Sequence, residues 1–316
     1  MLGLKLTTME APKPGDNDVI INVHAAPINP SDIAFIQGSY NIVKALPAVP
    51  GFEGSGIVVD AGVNAKNLIG RHVSCFVQDD RCGTWSELVI ANMNDLIVLK
   101  DDMDMDQAAC FTVNPFTAYG LFEMALIRDC KAIVQNAAGG QVAAIIRMMA
   151  KENNIQVIDI VRKQESADNL IKEGSKYVLV EGEGNFEEQL NNLMKTLNAT
   201  VAFDAVGGSL SGIMFSALPA NSELVVYGGL SNKHKIDIDV MEIIFNNKTV
   251  SGFNLMDWKA GLNNEDFIKI SEKIQNKFIS GTYITNIKDI VSIDDIVSGI
   301  RSYISDMSSG KILIKP

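Results

Sequence analysis

Long apolar runs are missing from this chain. No stretch supplies the ~18 consecutive apolar residues that a membrane span requires, and the opening MLGLKLTTMEAP meets Glu10 and Pro12 before a signal-type core develops. The expectation is a cytoplasmic protein with no membrane partner. Basic charge is also scarce: 27 Lys and Arg stand against 38 Asp and Glu, for a net charge of −11. Nucleic-acid binding needs clustered cations to neutralise phosphates, so no nucleic-acid partner is expected. Cysteine is limited to Cys75, Cys82, Cys110 and Cys130, without C-x-x-C spacing. That pattern reads as free thiols, with a Cys75–Cys82 pair as the alternative, and it excludes a disulfide framework. The three histidines, His24, His72 and His234, fall in no nucleophile or ligand constellation. The acidic run Asp101-Asp102-Met103-Asp104-Met105-Asp106 lacks EF-hand spacing and reads as a solvated helix start. No metal site is expected.

What remains is an ordinary globular composition, 47% hydrophobic and 21% charged over 316 residues, enough for about two domains. The first hundred residues carry short β-type runs broken by turn residues: Val19–Val23, Gly56–Val59, His72–Val77 and Trp85–Ile90. From about residue 105 the rhythm changes. Strand-like runs at Lys131–Gln135, Gln156–Val161, Lys176–Val180, Thr200–Asp204 and Glu223–Tyr227 alternate with helical segments near 141–152, 166–173, 186–197 and 209–217. Strands separated by crossover helices specify a doubly wound parallel α/β sheet, the Rossmann arrangement. The tail, with helices over Glu265–Phe278 and Ile293–Ile304 and a strand over Lys311–Ile314, is too short for its own core and is expected to return to the first domain. The expected division is 1–108 and 249–316 for a β-rich substrate and catalytic domain, with 109–248 as the inserted dinucleotide-binding domain.

Gln135-Asn136-Ala137-Ala138-Gly139-Gly140-Gln141-Val142-Ala143 follows a strand and opens a helix, where backbone N–H groups and the helix dipole face a pyrophosphate. Ala138, Gly139, Gly140, Gln141 and Val142 are therefore cofactor candidates. The strict G-x-G-x-x-G is absent, and Ala143 stands at the third glycine position. The next strand ends in Arg162 and Lys163, where NAD enzymes place an acid on the ribose hydroxyls; cations there favour the 2′-phosphate of NADPH.

Four segments carry a resemblance: His24-Ala25-Ala26-Pro27-Ile28-Asn29-Pro30-Ser31-Asp32; Gln37-Gly38-Ser39-Tyr40; Leu46-Pro47-Ala48-Val49-Pro50-Gly51-Phe52-Glu53-Gly54; and Val113-Asn114-Pro115-Phe116-Thr117-Ala118-Tyr119. Together they resemble the zinc-free medium-chain dehydrogenases/reductases, over nearly the whole chain. Val226-Tyr227-Gly228-Gly229-Leu230-Ser231 and Ser251–Trp258 are similar to quinone oxidoreductases and mitochondrial-type 2-enoyl thioester reductases. The resemblance implies a GroES-like β-rich domain holding the Rossmann insertion, a homodimer through sheet edges, and a small-molecule substrate. Zinc-using relatives place a Cys within the segment held here by Asn29–Asp32, and a Gly-His-Glu where this chain has Gly51-Phe52-Glu53, so the ligands for a Lewis-acid zinc are lacking.

The resemblance implies reduction of an acceptor activated by conjugation, a quinone or an α,β-unsaturated carbonyl such as an enoyl thioester. It gives Tyr40 the role of proton donor, with cleft lining as the alternative. Asn29, Asn114 and Thr117 would meet the nicotinamide side, and Tyr227, Gly228 and Gly229 the cofactor. Turn chemistry at Asn29 and helix capping at Asn114 are the local alternatives. Trp258 would border an acyl pocket or fill a core. The chain carries little of the family's usual first strand, which bears on the substrate mouth rather than the cofactor site. A cofactor-binding protein without turnover, like the zeta-crystallins of the superfamily, is the other class of function.

Overall fold

A computed structural model describes residues 3–316 except Asn41, Asp80, Asn232 and His234; the reading of His234 thus lies outside the described residues. In chain order the elements are β1 (Asp18–Pro27), α1 (Pro30–Ile36), β2 (Glu53–Ala61), β3 (His72–Phe76), β4 (Leu88–Asn92), β5 (Leu96–Val98), α2 (Met105–Ala109), α3 (Asn114–Ile127), β6 (Ala132–Gln135), α4 (Gln141–Glu152), β7 (Gln156–Val161), α5 (Gln164–Lys172), β8 (Tyr177–Val180), α6 (Phe186–Leu197), β9 (Val201–Asp204), α7 (Ser209–Ala217), β10 (Glu223–Val226), α8 (Val240–Asn246), β11 (Thr249–Gly252), α9 (Leu255–Ala260), α10 (Asn264–Ile279), β12 (Ile287–Ser292), α11 (Ile296–Ser305) and β13 (Lys311–Lys315). They divide into two compact units, residues 1–115 with 264–316, and residues 116–263.

The first unit is organised around β1. This strand pairs antiparallel with β2, β4 and β13, and among the described residues the sheet runs β12-β13-β1-β2-β3-β5 with β4 beside β1. Register shifts after Ile20 and between Val23 and Ala25 bend the strand, as bulges do, so that one strand serves three neighbours. Gly56 on β2 lies close against β1; a Cβ there would collide with the Asn22 carbonyl. The inward residues Val19, Ile21, Val23, Val58, Val73 and Val89 form one apolar cluster, and burial of such side chains supplies about 1.5–3 kcal/mol each.

The second unit is a parallel sheet in the order β11-β10-β9-β6-β7-β8. Its strands are nearly continuous apolar runs, because helices cover both faces of such a sheet. Val134, Ile158, Leu190, Met194, Phe215 and Leu224 form its main core and are at most 0% exposed. The amphipathic helices α4 and α6 bury one stripe each, Ala143-Ile146-Ala150 and Phe186-Leu190-Met194. The strand order, which reverses direction between β6 and β9, is that of a dinucleotide fold, with its crevice at the carboxyl ends of β6 and β9.

Candidate functional site

The chain leaves β6 at Gln135 and turns through Ala137, whose φ of 47° lies in the left-handed region. Gly140 then caps α4. A helix leaves its first-turn N–H groups without intrahelical acceptors, and its dipole makes that end attractive to phosphate. The turn is fastened from below: the Ala138 N–H donates to the Ile160 carbonyl at 3.1 Å, and Arg147 Nη1 donates to the Ala138 carbonyl at 2.6 Å. Ala138 is fully buried and both its backbone groups are engaged, whereas Gly139, Gly140, Gln141 and Val142 are partly exposed.

Asp159 is the acid nearest the end of β7, and it is completely buried. Its carboxylate accepts from Gln135 Nε2 at 2.7 Å, Arg147 Nη1 at 3.2 Å and Ser175 Oγ at 2.9 Å. Arg162 and Lys163, just past the strand, are exposed. A parallel network closes the other side of the crevice: the Asp204 carboxylate accepts from Asn136 Nδ2, Ser211 Oγ, and the N–H groups of Val206 and Gly207. Asn136 Oδ1 in turn accepts the Ala205 N–H at 2.7 Å. Tyr227 donates its backbone N–H to the Asp204 carbonyl, and burial, then the Asp204 charge, push its phenol upward. Gly228 follows with no room for a side chain, since a Cβ would stand 2.7 Å from the Ala205 carbonyl oxygen. Gly229 is exposed beside it.

In the same unit Thr117 is buried on α3 and Trp258 is half-buried on α9. The Trp258 indole donates to Glu123 Oε2 at 3.0 Å and packs among Phe116, Tyr119 and Phe253. Val226, Gly252, Phe253, Asn254, Asp257 and Trp258 line a cleft of about 440 Å³, so the indole both packs and borders open space.

The first unit holds Asn29, Tyr40 and, at the start of α3, Asn114. Asn29 is 3% exposed and both ends of its amide are engaged: Nδ2 donates to Glu53 Oε1 at 2.8 Å, and Oδ1 accepts from the Lys311 ammonium. Glu53 Oε2 also accepts from Thr112 Oγ1 and the Val113 N–H, each at 3.0 Å. Asp32 accepts from the N–H groups of Asn29 at 2.8 Å and Phe52 at 3.1 Å. Burial pushes the Asp32 carboxyl up to about 7, with the nearby Glu53 charge adding to the rise and the backbone N–H and Lys311 opposing it. Burial raises Glu53 as well, against Lys311 and its hydrogen bonds. Tyr40 follows the Gly38 turn that ends α1, is half-buried, and packs its ring 5.4 Å from that of Phe52. Burial first and the Asp32 charge second raise its phenol, which is therefore protonated at neutral pH.

Two family descriptions match the chain: an alcohol dehydrogenase GroES-like domain over residues 15–101 and a zinc-binding dehydrogenase over residues 142–276. The mitochondrial enoyl-[acyl-carrier-protein] reductase of Xenopus tropicalis is 32% identical over 84% of this chain and 78% of its own length. The chain belongs to the medium-chain dehydrogenase/reductase superfamily. It is an oxidoreductase. A Mesorhizobium loti protein named provisionally as an NADPH:quinone reductase shares its structure with a TM-score of 0.92 and 30% identity, over 97% of this chain and 89% of that one. The mitochondrial 2-enoyl thioester reductase heterodimer of Candida tropicalis shares the fold, with a TM-score of 0.78 at 24% identity over 98% and 93% of the two chains.

Within this reductase, residues outside the sequence expectations complete the geometry. Asp32, Glu53 and Lys311 form a buried charge cluster, and Arg147 and Asp159 brace the phosphate turn. The capping pattern Asn29-Pro30-Ser31-Asp32 is the one local signal that could have found the first acid; nothing local signals Lys311, which is 282 positions from Asn29. Among the described residues no group of three or more His, Cys, Asp or Glu could hold a metal. The four cysteines are free, His24 bonds Asp106 at 2.8 Å, and Asp104 caps α2. Among the described residues no helix is long and apolar enough to cross a membrane.

Proposed function

We propose that this medium-chain oxidoreductase is an NADPH-dependent, metal-independent reductase of 2-enoyl thioesters in which Tyr40 donates the proton. The protonated phenol beside Phe52 carries this reading, and the name of the Xenopus tropicalis relative supports it. The residues of the second unit fit the cofactor. The carboxylate that would compete for ribose hydroxyls is occupied by three donors, and the exposed cations Arg162 and Lys163 suit a 2′-phosphate. Gly139, Gly140, Gln141 and Val142 would hold the pyrophosphate at the start of α4, with Asn114, Thr117, Tyr227, Gly228 and Gly229 toward the nicotinamide. For Asn29 we propose the role its hydrogen bonds describe, clamping Glu53 to Lys311. When bound, NADPH supplies the hydride.

The protein's own contribution is to orient the acceptor and stabilise charge as it develops. The Tyr40 hydroxyl donates a hydrogen bond to the thioester oxygen as enolate character grows and supplies the proton that completes reduction. The cleft beside Trp258 would accept the acyl chain. A second reading, quinone reduction, is favoured by the Mesorhizobium loti neighbour; quinone oxygens can be protonated by water and have less need of Tyr40. We also propose a homodimer: β11 is an edge strand of its sheet, and α8 exposes Val240, Met241, Ile244 and Phe245 beside it.

Tyr40→Phe separates the two substrates. With enoyl thioesters turnover should fall by about 10²–10⁴-fold, the usual contribution of a positioned general acid, while NADPH affinity stays unchanged and quinone reduction loses far less. Equal losses for both acceptors, or none, would remove the proton-donor role.

A further inference from the structure

We propose that Asp32 is a positioning residue for the Tyr40 hydroxyl, acting through Phe52. The proposal rests on the reading of Tyr40 as proton donor. Asp32 is completely buried at the third position of α1, and its two oxygens tie the helix start to a segment 20 positions away, the Phe52 N–H beyond the Gly51 turn. Gly51 has a φ of 92°, so this turn leaves the extended path and needs an anchor. Phe52 is 1% exposed. Its ring stands 5.4 Å from Tyr40 and 5.5 Å from Phe35, with the Lys44 ammonium 5.6 Å above it. A shift of the Phe52 backbone therefore moves the surface against which the phenol rests.

The groups facing Asp32 come from every side of the first unit: Glu53 on β2, Lys311 on β13, Tyr303 on α11, and Tyr40 itself. The carboxylate charge also faces the phenol, opposing its ionisation. An asparagine at 32 keeps the volume but offers one acceptor oxygen where two N–H donors converge, and it carries no charge.

The test compares Asp32→Asn with the unaltered enzyme. Turnover of a 2-enoyl thioester should fall about 10- to 100-fold, as expected for a misplaced reacting group, with KM for NADPH unchanged. The Tyr40 phenol, read as the 295 nm absorbance difference between each protein and its Tyr40→Phe counterpart, should ionise at lower pH in Asp32→Asn. Full turnover in the folded variant, or an unmoved phenol titration, overturns the proposal. The titration reads the influence of the Asp32 charge on Tyr40 without turnover, so failure of the proton-donor reading, seen as an active Tyr40→Phe enzyme, is distinguishable. If Asp32→Asn does not fold, Phe52→Leu removes the ring and keeps the carboxylate. It should lower turnover by the same order while the phenol titration stays high, and full turnover in that variant overturns the proposal equally.

Discussion

Raising the pH from 5 to 8 should weaken the fold by about 3 kcal/mol through Asp32 alone. Its carboxyl is pushed from the ordinary 3.8 to about 7 in the folded chain, chiefly by burial. In the unfolded chain it is ionised above pH 5, whereas the folded chain retains the proton until about 7. The folded state thus binds up to one more proton in this window, and stability falls with pH at close to 1.4 kcal/mol per pH unit, on the order of 3 kcal/mol between pH 5 and 7, flattening above. The stabilising contribution is full below pH 4 and lost as pH rises through 7. Glu53, also raised by burial, acts with the same sign. The lowered carboxyls Asp79, Asp106 and Glu242 exchange protons only at more acid pH and leave this window flat. Urea unfolding of the unaltered chain and of Asp32→Asn at pH 5, 6, 7 and 8 isolates the effect, because other titrating groups cancel in the difference. A difference between the two proteins that stays constant across these pH values would refute the reasoning.

Arg162→Ala should weaken NADPH binding by about 1.5–3 kcal/mol, roughly 10- to 100-fold, through loss of a charge-assisted bond, and leave NADH binding unchanged; isothermal titration with both cofactors reads this, and an unchanged ratio rejects the phosphate contact. Metal independence predicts full activity after dialysis against a chelator, and stoichiometric zinc with inactivation on its removal would contradict it. Phe245, 75% exposed on α8, should tolerate Asp without loss of folding while sedimentation shows the homodimer dissociating; an unchanged mass moves the interface elsewhere.

Local chemistry made much of the second unit readable. α4 has the bounds 141–152 that were expected, because the Gly-rich turn fixes its start and Asn153-Asn154 its end. The parallel sheet emerged from the alternation of apolar runs with amphipathic segments, yet its sixth strand, β11, did not. Thr249-Val250-Ser251-Gly252 is short and half polar because it lies at an edge. In the first unit the expected strand over Trp85–Ile90 is displaced to β4, Leu88–Asn92. Ser86 Oγ bonds the Gly83 and Leu88 carbonyls, which makes a turn of that segment, and the Trp85 indole is buried against the Pro27 carbonyl. Helix α1 was not expected, turn chemistry being weighed at Asn29 alone, although Pro30 and Asp32 are a start signal. Tyr40, Asn114 and Trp258 stood out by resemblance. The charge cluster did not, because no sequence pattern links Asp32 and Glu53 to a lysine in the last strand.

The pairing of β13 with β1 also sets an order in time. The second unit is a single stretch and is whole once residue 263 has been made, but the first unit lacks one neighbour of its central strand, and its only described buried ammonium beside Glu53, until β13 follows. At synthesis rates of about 5–20 residues per second that interval lasts roughly 3–10 s. During it β1 offers an unpaired edge over Ala26 and Pro27, and two buried carboxyls wait without their cation. The first unit therefore begins to emerge first and is completed last.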